Sequence, residues 1–387
     1  MLSDLLGMGD YLPFSGYTAP WKAQRAYLKQ ALSAPVVRSD YSSLLEMGAQ
    51  QFVERCLTRP EDFLIETQRI AAEIIIKLTY GKLKGDRGRD YVEVNTYVTK
   101  IVEKGMQGYL VDLVPALRHL PRWLPGMKFK RDAAGWKKEI NELRIATLEE
   151  ARADTLSHDP VVRSSFMVKN LRELYGKAED ENHGARDLQQ EAEEELTISR
   201  SALVFYVGNG CRDESFILAM TLFPSIQEKA RAEIDRVVGS ERFPTFNDQP
   251  DLPYLQAVVL ETLRWNPVAN FGIPHASTAD DFYDGYFIPK GTTIIPNAWE
   301  ITRNPRHYKN PTIFDPERHL KQPPELDPRE WAFGYGRRVC PGKDLALAEV
   351  WIFAASLLWA FELVGPRKDC STSPTEDMNR FAFKLLT

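Results

Sequence analysis

The amino-acid sequence predicts a mainly α-helical fold with a small β part. Apolar residues recur at helical spacing over most of the first two thirds, whereas short β-like pieces lie in residues 271–296, and a further β part at the C-terminus is left open. No strand–helix–strand alternation occurs along the 387 residues, which argues against a parallel nucleotide-binding sheet. Hydrophobic residues make up 43% and charged residues 27%, which is the balance of an ordinary globular protein.

The N-terminal helices are predicted from apolar periodicity and from residues typical of helix starts. Their ranges are 21–32, 41–57, 60–80, 90–110 and 132–155. Asp90 and Asp132 suit an N-cap or first turn, and Pro60 suits a first turn. Between the last two helices, residues 117–126 are apolar and broken by prolines. This segment predicts either a buried connection or a peripheral membrane contact near Trp123, since Trp and Leu flanked by Arg favour a membrane interface.

The second half of the chain contains an acidic segment, further helices, the β part and a long irregular loop. Residues 176–195 are strongly acidic and predict a solvated linker or helix face. Further helices are predicted at 196–238, interrupted at 208–210 and Pro224, and at 251–265, ended by Asn266-Pro267. The β-like pieces follow, with a turn at Asp284-Gly285, and then a long irregular loop over residues 304–331. Residues 343–363 predict a last, apolar helix.

Charge and cysteine usage exclude several functional classes. The net charge of −5 and the absence of a dominant basic tract argue against a nucleic-acid partner. The four cysteines are far apart and form no CxxC pair, so neither a disulfide framework nor a zinc site is expected. We find no signal peptide, and the longest apolar run, residues 350–361, is roughly half of what a spanning helix needs.

The strongest chemical pattern is the glycine-rich segment 333–342 around Cys340. Cys340 directly precedes the last predicted helix, whose N–H groups and dipole favour a thiolate. Gly336 and Gly342 allow a tight turn and close approach to a bulky planar group, and Arg338 can pair with a carboxylate on that group. A lone thiolate with one open side suits an iron ion that needs a free sixth position. The alternative is a buried structural cysteine in a glycine-rich turn.

This segment resembles the haem-binding loop of the cytochrome P450 family, F-x-x-G-x-R-x-C-x-G. All fixed positions match, namely Phe333, Gly336, Arg338, Cys340 and Gly342. The resemblance implies a single cytochrome P450 domain over residues 1–387 that binds iron protoporphyrin IX (haem b). It implies Cys340 as the axial ligand, Phe333 packed near the sulfur, and Arg338 on a haem propionate.

Two further motifs occur in the order that this family shows. Glu261-x-x-Arg264 lies on a predicted helix, and Arg318 follows in Asp315-Pro316-Glu317-Arg318. The resemblance implies that these three charged residues form a buried ion-pair network that holds residues 333–342, the cysteine loop, in place. Their role would be structural and not chemical.

Trp21-x-x-x-Arg25 and His275 resemble the family's other propionate partners. At positions i and i+4 of a helix, the indole N–H and the guanidinium point the same way. For each of these residues taken alone, core packing or surface exposure is the alternative. The flanking segments 111–126 and 281–299 resemble fungal multi-substrate members.

Two departures from the family pattern lead to further expectations. Trp21 comes early, so we expect the membrane anchor and the first β-strands of the family to be missing. The family's central helix carries a G-x-[DE]-T segment that delivers protons to iron-bound dioxygen, and here residues 208–216 replace and shorten it. Glu214 and Ser215 are the weak candidates for the acid–alcohol pair, although they lie too close to Phe216 for the usual register.

The resemblance implies a haem-thiolate monooxygenase that inserts one atom of O2 into a hydrophobic small molecule. Electrons would come from NADPH through a separate reductase, because the sequence has no flavin or nucleotide fingerprint. The alternatives are a degenerate or truncated haem-binding relative without monooxygenase activity, and a remnant that never incorporates haem. The resemblance also implies the endoplasmic reticulum membrane, while the lack of an anchor leaves a cytoplasmic location open.

Overall fold

A computed structural model describes residues 1, 3–86, 88–179, 188–207, 213–365 and 382–385. The described chain is mostly helical with a few short strands, which confirms the predicted fold class. It divides into two compact units: residues 1–36 with 71–209, and residues 37–70 with 210–387. The boundary falls inside helix α4 (Phe63–Tyr80).

The first unit is helical throughout its described part. Besides the second half of α4, its helices are α1 (Ala19–Ala31), α2 (Ala34–Val36), α5 (Tyr91–Met106), α6 (Leu110–Leu113), α7 (Lys128–Asp154), α8 (Pro160–Ser164), α9 (Phe166–Glu179) and α10 (Leu188–Val207). The Asp90 side chain accepts hydrogen bonds from the N–H groups of Val92 and Glu93, so Asp90 is the N-cap of α5 as predicted. Helix α10 forms the middle of this unit and packs against α1, α5, α7 and α9.

Two features of the first unit differ from expectation. Helix α7 begins at Lys128, so Asp132 lies within the helix and forms an ion pair with Lys128 (2.6 Å) instead of capping it. The segment 117–126 is not a buried connection, because most of its side chains are exposed. Its Trp123 side chain is 77% exposed, and Leu113 just before the segment is 81% exposed.

The second unit contains the remaining helices and all described strands. Its helices are α3 (Ser42–Thr58), the first half of α4, α11 (Asp213–Leu222), α12 (Pro224–Val237), α13 (Pro253–Trp265), α14 (Ala298–Arg303) and α15 (Lys343–Ala360). A π-helical turn at Val37–Tyr41 precedes α3. The loop predicted at 304–331 contains only short 3-10 turns, at Pro316–His319 and Pro328–Glu330.

The strands form three antiparallel pairs. They are β1 (His275–Ala276) with β4 (Thr293–Ile294), β2 (Asp281–Tyr283) with β3 (Tyr286–Ile288), and β5 (Phe361–Val364) with β6 (Ala382–Leu385). The predicted turn joins β2 to β3, and Asp284 and Gly285 both have positive φ (48° and 78°). This is the backbone geometry that a two-residue hairpin with right-handed strand twist requires.

The core of the second unit is built around α15. This helix is apolar on every side and is buried over most of its length, packed against α3, α12 and α13. It ends at Ala360, three residues earlier than predicted. The buried Gln227 side chain donates to the carbonyl of Leu363 (3.0 Å) and accepts from its N–H (2.7 Å), which helps hold this segment extended as β5.

Several sequence predictions fall wholly or partly outside the described residues. The interruption predicted at 208–210 lies there, as does much of the acidic segment 176–195. Helices α10 and α11 lie on either side of the interruption predicted at 208–210. Pro224 begins α12, as expected of a proline at a first helical position. Among the described residues, no helix has both the length and the hydropathy needed to cross a membrane.

Candidate functional site

The cysteine loop is closed by backbone hydrogen bonds. The N–H of Cys340 donates to the carbonyl of Phe333 (2.7 Å), and the N–H of Arg338 donates to that of Tyr335 (3.0 Å). Gly336 has φ +51°, which explains a glycine there. The Phe333 ring is buried, whereas Cys340 is exposed, so the alternative of a buried structural cysteine does not describe this thiol.

The thiol lies at the start of α15. Cys340 is three residues before the first helical residue, Lys343, and Gly342 is the N-cap. Gly342 has φ −85°, so backbone conformation does not require a glycine at this position. A side-chain Cβ there would lie 3.8 Å from the sulfur, and its absence leaves that side of the thiol open.

A buried ion-pair network centred on Glu261 lies behind the loop. Arg264 donates from Nε to Oε2 (2.8 Å) and from Nη2 to Oε1 (2.7 Å) of Glu261, and Arg318 donates from Nε to Oε1 (3.1 Å). All three side chains are at most 1% exposed. Burial alone raises the pKa of Glu261, but hydrogen bonds from His319 and Arg264 and the two guanidinium charges outweigh burial and lower it.

Two members of this network were missed by the sequence analysis. The His319 ring lies 3.0 Å from Oε2 of Glu261, and Glu325 forms an ion pair with Arg318. Each follows Arg318 within seven residues. The turn Pro316–His319 places His319 against Glu261, and the returning loop brings Glu325 to the Arg318 guanidinium. No spacing rule in the sequence marks either residue.

The network is connected to the cysteine loop through aromatic residues. The Arg264 guanidinium lies 5.3 Å from the ring centre of Tyr308. The Tyr308 hydroxyl accepts a hydrogen bond from Nε1 of Trp331 (2.9 Å), two residues before Phe333. Lys343 also donates to the carbonyl of Arg329 (3.1 Å), which joins the start of α15 to the segment that precedes the cysteine loop. These contacts connect the cysteine loop to the ion-pair network and to the start of α15.

The residues predicted to contact propionates lie in both units. In the second unit, strand β1 brings His275 near Arg338, and burial together with the positive charge of Arg338 lowers the pKa of His275. In the first unit, Trp21 and Arg25 lie one turn apart on α1. Trp21 is buried, with its ring in edge contact with Tyr17 (5.0 Å between centres).

The acid–alcohol candidates both have protein partners. Glu214 accepts a hydrogen bond from Nε2 of Gln68 (3.1 Å). The Ser215 hydroxyl accepts one from Nδ2 of Asn266 (2.9 Å), the residue that ends α13. Both residues lie in the first turn of α11, next to the buried Phe216. The acid–alcohol role of these two residues stays a prediction.

Comparisons with known proteins agree with this geometry. Residues 213–384 match the family model "Cytochrome P450". The cytochrome P450 monooxygenase COX2 of Coprinopsis cinerea is 35% identical, over 98% of this chain and 72% of that protein. The chain belongs to the cytochrome P450 family. The family and its fungal character, predicted from the cysteine loop and its flanking motifs, are confirmed.

Further relatives extend the match to the enzyme class. A multifunctional cytochrome P450 monooxygenase of Aspergillus fumigatus is 31% identical over 95% of this chain and 68% of that protein. A zebra fish cytochrome P450 solved with abiraterone has the same fold, with a TM-score of 0.71 at 22% identity, over 95% of this chain and 80% of that one. The protein is a cytochrome P450-type monooxygenase. Its family implies a haem cofactor, an organic substrate, O2 and a redox partner.

The residues around Cys340 fit a haem. Haem presents an iron, an apolar macrocycle and two carboxylates, and the second unit offers an exposed thiol, the Arg338 guanidinium and the His275 imidazole near it. Ile294, paired with His275 across β1 and β4, and Ile295 expose apolar surface beside this pair.

Proposed function

We propose that this protein is a haem-thiolate monooxygenase in which Cys340 is the axial ligand of haem b. The observation that carries the proposal is the exposed thiol of Cys340 in a glycine-rich loop at the start of α15, two residues after Arg338. When bound, the haem supplies the chemistry of dioxygen activation. The reaction is the insertion of one atom of O2 into a hydrophobic organic molecule, with electrons from an NADPH-dependent reductase.

The protein's own residues bind and orient the cofactor in this proposal. Arg338 and His275 hold propionates through charge-assisted hydrogen bonds, and Trp21 and Arg25 provide the same kind of donors on α1. Phe333 shields the sulfur on the protein side, while Gly336 and Gly342 leave room for the macrocycle. The network of Glu261, Arg264 and Arg318 positions the loop and takes no part in the chemistry. Glu214 and Ser215 are proposed only as the weak candidates for the acid–alcohol pair, each with one protein hydrogen-bond partner.

We also propose that residues 1–387 act as one catalytic domain, since relatives align across both units. Peripheral contact with the endoplasmic reticulum membrane is proposed through the exposed apolar surface of Leu110, Leu113 and Trp123. The Nζ of Lys130 donates to the carbonyl of Arg118 (2.6 Å), an interaction that ties down the adjacent loop.

The decisive experiment is a reduced carbon monoxide spectrum of the whole chain, expressed with a haem supply. We expect the strongly red-shifted Soret band of a thiolate-ligated carbonyl, lost in Cys340→Ala and retained in Cys56→Ala, which removes a buried cysteine. Bound haem without the red shift would contradict thiolate ligation and favour a degenerate haem-binding protein. A chain that binds no haem would overturn the proposal altogether.

Catalytic competence is tested next by substrate-dependent turnover. With a fungal NADPH-dependent reductase, a panel of hydrophobic aromatic and terpenoid compounds should yield products that contain one oxygen from labelled O2. The matched control is Cys340→Ala at equal protein concentration. A native red-shifted spectrum without any such product would retain the ligand assignment and reject the monooxygenase proposal for this chain.

A further inference from the structure

The first unit contains a cavity with an unusual excess of positive charge. The cavity has a volume of about 650 Å³ and lies between the N-terminal segment 4–11, α7 and α10. Five basic side chains line it, against two acidic ones, Asp4 and Asp10. The basic residues are Arg122, Lys137, Lys138, Arg144 and Arg200.

The two acids are already neutralised by other contacts. Asp4 pairs with Arg118 (2.9 Å) and Asp10 with Arg200 (2.8 Å). Within the described part of the chain, no carboxylate lies within 4.0 Å of the basic groups of Arg122, Lys137 or Arg144. These three cations leave a net positive charge in a concave site, which is the arrangement that attracts an anion.

Arg144 is the innermost of the three. It is half-buried on α7, and its Nη2 donates to Oδ1 of Asn141 (2.9 Å). Burial contributes most to the lowered pKa of Arg144. The Tyr11 hydroxyl, which is hydrogen-bonded to Arg144, raises this pKa, and the positive charge of Arg200 lowers it. A bound anion would relieve this repulsion, and the planar guanidinium can hold a carboxylate or phosphate through two parallel hydrogen bonds.

The end of the Lys137 side chain lies against Gly7 at the wall of the cavity. Gly7 has φ +72°, and a Cβ at this position would come within 2.7 Å of the Lys137 side chain. The glycine therefore makes room for the lysine stem against the N-terminal segment. The same wall includes the buried apolar side chains of Leu6 and Ile140, so the site combines cationic groups with apolar surface.

We propose that this cavity binds a small organic acid, through Arg144 and Lys137 for its carboxylate or phosphate group and through Leu6 and Ile140 for its apolar body. Its volume falls in the range of small-molecule sites in proteins, roughly 300–1,000 Å³. All residues that line the cavity belong to the first unit, whereas the cysteine loop belongs to the second, and the proposal requires no haem chemistry. Carboxylates and phosphate monoesters share the oxyanion that these side chains recognise.

The test is calorimetric titration of the haem-loaded full chain at constant ionic strength. Benzoate and phenyl phosphate are the two anionic probes, and benzyl alcohol is the neutral probe of the same apolar body. We expect one or both anions to bind at least fivefold more tightly than the alcohol. The tighter anion identifies the ligand as a carboxylate or a phosphate ester.

Variants then locate the binding. Lys137→Gln should weaken anion binding at least fivefold, and Arg144→Lys, which keeps the charge but loses the planar fork, by a similar factor. Lys100→Gln, an exposed lysine on α5 outside the cavity, is the matched control and should leave affinity unchanged. Circular dichroism and the melting temperature check that each variant is folded. Equal affinity for anions and alcohol, or anion binding that none of the cavity variants alters, would overturn the proposal.

Discussion

Glu261 and Arg264 form a two-point ion pair with no solvent contact: Nε lies 2.8 Å from Oε2, Nη2 lies 2.7 Å from Oε1, and both side chains are fully buried. Three backbone carbonyls accept further hydrogen bonds from Arg264, those of Thr302, Pro311 and Ile313. One carboxylate thus anchors a guanidinium that ties a long irregular loop to α13. Such a centre stabilises the fold only while every member is present.

The first prediction is that Glu261→Gln strongly destabilises the protein. Removing this charge leaves Arg264 buried without a carboxylate and Arg318 with Glu325 alone, at a cost of about 3–5 kcal/mol in the free energy of unfolding. Urea unfolding followed by circular dichroism measures this. The control is Glu317→Gln, which breaks a pair with Lys229 between half-exposed side chains and should cost about 1 kcal/mol or less. Equal effects of the two substitutions would refute a central role for Glu261.

The second prediction concerns acid stability. The folded-state pKa of Glu261 lies below its ordinary value of 4.5, so its contribution is present above pH 4.5 and is lost as the pH falls through the folded pKa. His319→Leu removes a hydrogen bond that lowers this pKa, so the variant should lose less stability between pH 5 and pH 3. Plots of unfolding free energy against pH should therefore be shallower for the variant. Asp248, whose pKa Arg242 lowers, contributes equally to both proteins. A steeper plot for His319→Leu would contradict the predicted direction of its effect on the pH dependence of stability.

The third prediction is selective alkylation of Cys340 over Cys56. Burial, with a smaller contribution from Glu66, raises the pKa of Cys56 to about 12. Compared with a free cysteine of pKa about 8.5, its thiolate fraction at pH 8 is lower by roughly a thousandfold. Iodoacetamide should therefore label exposed Cys340 first in the haem-free protein, as measured by peptide mass spectrometry. Haem loading should protect Cys340, and labelling that is unchanged by haem would contradict its role as ligand.

The fourth prediction is that Arg338→Leu weakens haem retention. A charge-assisted hydrogen bond contributes about 1.5–3 kcal/mol, so haem should leave the variant about 10–100 times faster. Transfer of haem to apomyoglobin, followed at the Soret band, measures the rate. Arg337→Leu is the matched control, since this exposed neighbour lies outside the motif and should have little effect. His275→Ala should act in the same direction as Arg338→Leu, and unchanged retention in both variants would remove these residues from the site.

The fifth prediction concerns membrane contact. Replacing Leu113 and Trp123 together by Ser should lower binding to anionic phospholipid vesicles by about tenfold or more, because burial of each side chain contributes about 1.5–3 kcal/mol. Co-sedimentation measures the bound fraction. The control is Leu156→Ser, a leucine that is 84% exposed elsewhere in the first unit and should leave binding unchanged. Vesicle binding that is insensitive to the double substitution would place any membrane contact elsewhere.

Much of the helical framework was predictable because its information is local. Helix α5 has its apolar positions in period and an aspartate at its N-cap, and α13 ends at an Asn-Pro pair. The prediction failed where contacts with distant residues determine the secondary structure. Residues 361–363 read as helix from their neighbours, but the Gln227 side chain binds the backbone of Leu363 and that segment pairs as a strand.

The sequence by itself determined the family, the mainly α-helical fold and the candidate ligand Cys340, because these depend on residue types at short fixed spacings. Only the tertiary structure decided that His319 and Glu325 join the network of Glu261, and that Leu113 and Trp123 are exposed. It also decided that cations from α7 and α10 line one cavity. The physical reason is that burial, charge compensation and cavities arise from contacts between residues far apart in the chain, and no local pattern specifies which of those contacts form.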